Sequence, residues 1–138
     1  MFIYYIIIYN MEDLLQELIT KQEERISFLE EHLDLLTAEH DTVSDEFEMK
    51  NDETKKLVAE FNTLDVADPR YSAMWNTIYE GQQINKGLFW KVDTITEKMS
   101  SVRQELIHQR ESILANMELL KFINVDKLLS RLDASDEE

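Results

Sequence analysis

From Leu15 onward, apolar residues return on a heptad beat. One seam position reads Leu15, Gln22, Leu29, Leu36, Val43, Lys50, Leu57 and Leu64, and the other reads Ile19, Ile26, Leu33, His40, Phe47, Thr54 and Phe61. Alternating steps of three and four residues keep such positions on one face of a helix, so the pattern predicts a long amphipathic or coiled-coil helix. Eleven of these fifteen positions are apolar, and the exceptions show where the stripe weakens. Lys50 and Thr54 flank the polar run MKNDET. About two turns are left there without an apolar contact, which makes this the expected place for a bend or a break. An unbroken helix would run to about residue 65.

The stop at Leu64-Asp65-Val66-Ala67-Asp68-Pro69 is clearer. Asp68 can accept from free helix N–H groups, and Pro69, which has no N–H, suits a first helical position. A reversal is expected at about 65–69. The second helix carries its own seam: Tyr71, Met74, Ile78, Gly81, Asn85, Leu88, Val92, Ile95, Met99, Val102, Leu106, Gln109, Ile113, Asn116 and Leu120, again eleven apolar of fifteen. Two such stripes joined by a short turn predict an all-α fold, a long antiparallel helical hairpin or coiled coil. Its stripe is narrow, so support from another helix or a second copy is expected. After Phe122, Asn124-Val125-Asp126 reads as a break with a fresh cap, opening a short C-terminal helix with Val125, Leu128, Leu129 and Leu132 on one side. The tail DASDEE reads as acidic and disordered.

The first ten residues, MFIYYIIIYN, stand apart, apolar in nine of ten positions. They are too few to span a bilayer, which takes about 20 residues, and they lack the basic start and cleavage site of a signal peptide. Their β-branched and aromatic content favours an extended strand where exposed. Met11 follows and opens MEDLLQEL, whose acidic residues suit a helix N-terminus. Two readings stay open: translation starting at Met11, or a true hydrophobic arm or first helical turn. The organisation is then an extension over 1–10, a hairpin domain over 11–123 and a terminal segment over 124–138.

Composition sharpens the class. Two glycines and one proline in 138 residues agree with long helices, and the absence of cysteine removes disulfides, thiolate metal sites and a thiol nucleophile. The net charge of −15 is unevenly spread. Residues 11–68 hold 18 acidic against 5 basic side chains, residues 69–123 hold 6 against 7, and residues 124–138 hold 5 against 2. Such a first helix repels phosphate backbones, so direct nucleic-acid binding is disfavoured; it keeps an assembly subunit soluble, or else mimics nucleic-acid charge.

Catalytic chemistry is hard to place. Glu105 and His108 share one helix face in the spacing used by carboxylate-bridged di-metal bundles, but such a site needs a second Glu-x-x-His, which the chain lacks. Gly81 and Gly87 lie within helical pattern and not in a phosphate loop. No metal, cofactor or enzyme activity is expected, and the candidates are binding modes.

One stretch remains, Tyr71 to Trp90, with both tryptophans and both glycines. Its aromatics suit the closed end of the hairpin. Each glycine weakens a helix by about 1 kcal/mol relative to alanine, so close approach of another helix or a hinge is expected there. The polar patch Gln82 to Gly87 has no packing reason of its own.

Several short motifs resemble the FlgN-type flagellar type III export chaperones: Leu14-Leu15-x-x-Leu18, Leu35-Leu36-x-x-Glu39, Lys55-Lys56-Leu57, Trp75-x-x-Ile78, and Gln82-Gln83-Ile84-Asn85-x-Gly87-Leu88. The chain departs from that family in having a single asparagine, Asn85, where two are usual, and in lacking a glycine-rich tail. The resemblance implies a cytoplasmic helical protein that holds an amphipathic helix of a secreted hook-filament junction subunit and prevents its premature assembly. The expected partner-binding positions are Val102, Leu106, Ile113, Met117, Leu120, Leu128 and Leu129. Trp75, Ile78, Gln82, Asn85, Gly87 and Leu88 are the motif positions. The other classes are a coiled-coil structural or assembly subunit, with homodimer formation, and an acidic phage-type inhibitor that mimics nucleic acid.

Overall fold

The computed structural model describes residues 2–136 and places them in two helices, α1 (Phe2–Phe61) and α2 (Tyr71–Asp136). The fold is an all-α helical hairpin. Every seam position named above, in both helices, is buried or half-buried. Contacts divide the chain into two compact units: a terminal unit, where α1 up to His32 pairs with α2 from Val102, and a turn unit, Leu33–Ser101. The two helices run antiparallel in each.

In the terminal unit the core is aliphatic, with Leu29 2 % exposed and Ile8, Ile19, Val102, Leu106, Ile113 and Ile123 also buried. Its buried polar seam residue is satisfied within the core. Gln22, 8 % exposed, donates from Nε2 to Ser112 Oγ (2.8 Å) and accepts at Oε1 from Asn116 Nδ2 (2.9 Å). A buried amide left unpaired costs about 1–3 kcal/mol, so this triad fixes which turn of α1 meets which turn of α2. Ion pairs flank the seam, Arg25 with Glu105 (2.8 Å) and Arg110 with Glu30 (2.9 Å). All four side chains are substantially exposed, so each pair adds little stability.

Residues 2–10 form the first turns of α1, not a strand. Strand propensity is a weak preference, and tertiary contacts override it here: Ile8 is buried, the Tyr4 hydroxyl donates to Asp126 Oδ2 (2.6 Å), and Glu12 pairs with Lys127. The same contacts remove the break expected at 124–126. α2 continues through Asp136, so no separate short C-terminal helix forms, and residues 133–136 of the tail are helical. The last two tail residues lie outside the described residues.

In the turn unit Leu36, Val43, Ile78, Ile95 and Met99 are buried. α1 is also unbroken across 50–54. Thr54 is 8 % exposed and bonds the Lys50 carbonyl (2.8 Å), and it lies opposite Gly81, where an added Cβ would stand 2.9 Å from its hydroxyl oxygen. The polar run of α1 therefore meets the polar stretch of α2, and Asn85 Nδ2 donates to Asn51 Oδ1 (3.3 Å). Gly81 serves close approach as expected. Gly87 does not, since a Cβ there would meet nothing within 4 Å.

α1 stops at Phe61, earlier than its apolar pattern implied, and Phe61 meets Tyr71 across the closed end with ring centroids 4.6 Å apart. In the turn, Asp68 Oδ1 accepts from the Arg70 backbone N–H (2.9 Å) and its carboxylate pairs with the guanidinium (3.2 Å). The Arg70 side-chain bond, then the backbone bond, holds the Asp68 carboxyl below its ordinary range. A lowered carboxyl stabilises the fold above its unfolded pKa and loses that contribution as pH falls through its folded value. The melting temperature of Asp68→Ala is therefore expected below wild type at neutral pH, with the gap closing on acidification below the carboxylate range. A gap independent of pH would show that the carboxylate is not the source.

Candidate partner-binding surface

An apolar groove beside the seam lies in the terminal unit. Along α1, Tyr4, Met11 and Leu18 recur every seven residues, as do Ile7 and Leu14, and both rows flank the seam residues Ile8 and Leu15. On α2, Leu119 and Phe122 flank Ile123 in the same way. These side chains, with Asp126, line a groove of about 480 Å³. Leu14 is 64 % exposed and Phe122 71 %, so neither contributes to the hairpin core. The one charged group lining it, Asp126, accepts the Tyr4 hydroxyl hydrogen bond described above. One heptad beyond Leu18 the same α1 row reaches Arg25, which pairs with Glu105 and lies over the Phe28 ring at 5.2 Å.

The positions expected to bind a partner separate into two sets. Val102, Leu106 and Ile113 are buried at 8 %, 3 % and 8 % exposure, and they are core residues of the hairpin rather than groove residues. The reason is geometric: they continue the α2 seam, and α1 already covers that seam. Leu120 is half-buried, Met117 is borderline exposed, and Leu128 and Leu129 are exposed near the end of α2. The expected partner-binding positions include none of the groove's walls, Tyr4, Ile7, Met11, Leu14, Leu18, Leu119 and Phe122, although Leu14 and Leu18 belong to the first motif of the resemblance. A signal existed, because a helix that is apolar beyond its seam needs a second cover. It was hidden by the reading of residues 1–10 as an extension outside the hairpin.

The motif positions from Trp75 to Leu88 lie in the turn unit. Ile78 is buried and Leu88 half-buried, as their seam places require. Trp75 is not part of the closed end. It is 52 % exposed and stacks on Tyr79 along the outer side of α2, with centroids 5.6 Å apart and planes within 6°. Gln82 and Gly87 are exposed. Gln82 and Asn85 line a second, more polar cavity of about 450 Å³ with Asn51, Thr54, Lys55 and Lys86. Asn85 Oδ1 is buried there without a hydrogen-bond partner.

Glu105 is engaged by Arg25, and among the described residues no group of three or more His, Asp or Glu side chains could hold a metal ion. Among the same residues no helix is long and apolar enough to cross a membrane. No protein-family model, curated protein or solved structure matches the chain.

Proposed function

We propose that the chain works by binding, holding an amphipathic helix of a protein partner in the apolar groove of its terminal unit. The fuller form of this reading is a cytoplasmic export chaperone of the FlgN type, which keeps a secreted subunit of the hook-filament junction kind from assembling early. The observation that carries it is the groove itself, walled by exposed aliphatic and aromatic side chains from two helices. Contiguous apolar surface of this kind marks an interaction site, and a groove between two helices fits a third whose apolar residues recur at three- and four-residue steps. Leu14, Leu15 and Leu18, which form the first motif of the family resemblance, all lie on the groove wall. The methionine there, Met11, adapts its shape to different side chains. The acidic remainder of α1 keeps the loaded complex soluble.

The test is to purify the partner that accompanies the chain from its native cell and titrate it by calorimetry against wild type, Leu14→Glu and Leu18→Glu. A carboxylate placed in an apolar interface is expected to weaken binding by roughly a hundredfold, about 2.7 kcal/mol. Unchanged affinity in both variants would overturn the assignment of the groove. Co-purification of no junction-type subunit would overturn the export role while leaving helix binding in place.

A further inference from the structure

The turn unit holds chemistry that helix capture in the terminal unit does not use. Its polar cavity of about 450 Å³ is lined by Phe47 and Phe89, whose ring centroids stand 6.2 Å apart, and further along by Asn85, Lys86 and Lys55. No acidic side chain lines it, although residues 11–68 carry 18 acidic against 5 basic side chains. Two cations line it instead, one from each helix. Lys50, five residues before Lys55, is paired with Glu53 (3.5 Å), whereas neither Lys55 nor Lys86 has an ion-pair partner among the described residues. The residues three and four places from Lys86 are Gln82, Gln83, Phe89 and Trp90, so no carboxylate stands within reach of it along α2.

The second signal is the amide of Asn85. Its Nδ2 donates to Asn51 Oδ1 (3.3 Å), while its own Oδ1 is buried without a donor. The nearest hydroxyl in the cavity wall, that of Thr54, is committed to the Lys50 carbonyl (2.8 Å). A buried carbonyl oxygen left unpaired costs about 1–3 kcal/mol, which a group bringing its own donor into the cavity would recover.

We infer that this cavity binds a small organic carboxylate: the carboxylate lies between Lys55 and Lys86, a hydroxyl beside it donates to Asn85 Oδ1, and an apolar body packs against Phe47 and Phe89. Lysine ammoniums attract as point charges and do not choose between carboxylate and phosphate by shape. The net charge of −15 makes that choice, because each further negative charge on a ligand is repelled by the chain. Phosphate sites are also commonly built on free N–H groups at helix N-termini, and every lining residue here lies within the body of α1 or α2, where those groups are bonded along the helix. The volume falls in the lower half of the range for small-molecule sites, roughly 300–1,000 Å³, and suits one ring with a short acidic arm. An occupant would tie α1 to α2 at the polar layer, which gives the patch from Gln82 to Gly87 the purpose that packing does not.

Phenyllactate carries a carboxylate, a neighbouring hydroxyl and a ring, and its calorimetric titration into the full chain at low salt provides the test. It is expected to bind with a dissociation constant of about 1 mM or below. Lys55→Gln and Lys86→Gln should each weaken binding by about tenfold, the loss of one charge-assisted contact. Both side chains are exposed, so far-UV helicity should be unchanged in either variant. Lys91→Gln removes the same charge from α2 outside the cavity and should bind as wild type does. Inorganic phosphate should bind at least about tenfold more weakly than phenyllactate, and uncharged phenyllactamide more weakly still. No phenyllactate binding up to about 10 mM, an affinity unchanged in both cavity variants, an equal loss in Lys91→Gln, or phosphate bound as tightly as phenyllactate would overturn the proposal. Leu14→Glu, in the terminal unit, should leave phenyllactate binding unchanged, so this site and the helix-binding groove stand or fall separately.

Discussion

Leu29→Ala is expected to cost about 2–5 kcal/mol of stability, the range for emptying a well-packed leucine site. Leu29 is 2 % exposed, the most enclosed large side chain among the described residues. It belongs to the terminal unit, between the Gln22 triad and the Glu30–Arg110 pair along α1. Those polar contacts hold the local register and resist the collapse that would otherwise refill the cavity, which places the expectation toward the upper half of the range. The matched control is Leu14→Ala. Leu14 is 64 % exposed, and its truncation should stay within about 0.5 kcal/mol. Urea unfolding followed by far-UV circular dichroism reads both. A Leu29→Ala loss below about 1 kcal/mol would show that α1 and α2 re-close around the smaller side chain.

The contrast between Leu29 and Leu14 also separates what the sequence could reveal from what it could not. Heptad spacing gives the phase of each helix. Every position assigned to a seam is accordingly covered, from Leu15 to Leu64 and from Tyr71 to Leu120. Phase within one helix says nothing about register between two, and the errors arise there. Lys50 and Thr54 read as a break only against the apolar partners that the pattern supposes. Opposite them lie Gly81 and Asn85, and polar side chain meets small or polar residue without interrupting α1. Asn124-Val125-Asp126 looked like a fresh cap for the same reason. Asp126 and Lys127 find Tyr4 and Glu12, partners that exist only because residues 2–10 extend α1 far enough to meet them.

The candidate surface was hidden by the same step. Val102, Leu106 and Ile113 were apolar and in phase, and for that reason α1 covers them. Binding surface in a two-helix layer must come from apolar residues out of phase with the seam, such as Leu14, Leu18 and Phe122. The acidic character of α1 bounds that surface. Beyond Leu18 the groove row of α1 becomes charged at Arg25, and Glu23, Glu24 and Glu31 line a shallow depression with Phe28, the ring that Arg25 lies over.

Gly81→Ala should change sign with the residue opposite. In an exposed helix interior the substitution stabilises by about 1 kcal/mol, because alanine restricts the unfolded backbone and favours helix. At Gly81 the new methyl would stand 2.9 Å from Thr54 Oγ1. Threonine is stiff at χ1, and this hydroxyl is tied to the Lys50 carbonyl at 2.8 Å, so it cannot swing aside without giving up that bond. Overpacking of this kind costs about 1–3 kcal/mol, enough to outweigh the helix gain. With Thr54→Ala in the background the obstructing oxygen and methyl are gone, the next neighbour is Lys50 Cε at 3.7 Å, and the helix gain should appear undiminished. The double-mutant cycle, read by urea unfolding, should therefore give a coupling of about 1–3 kcal/mol between residues 27 positions apart in the chain. A Gly81→Ala effect equal in the two backgrounds would mean that α1 and α2 do not approach closely at this layer, and that the polar residues around MKNDET are not what sets their register.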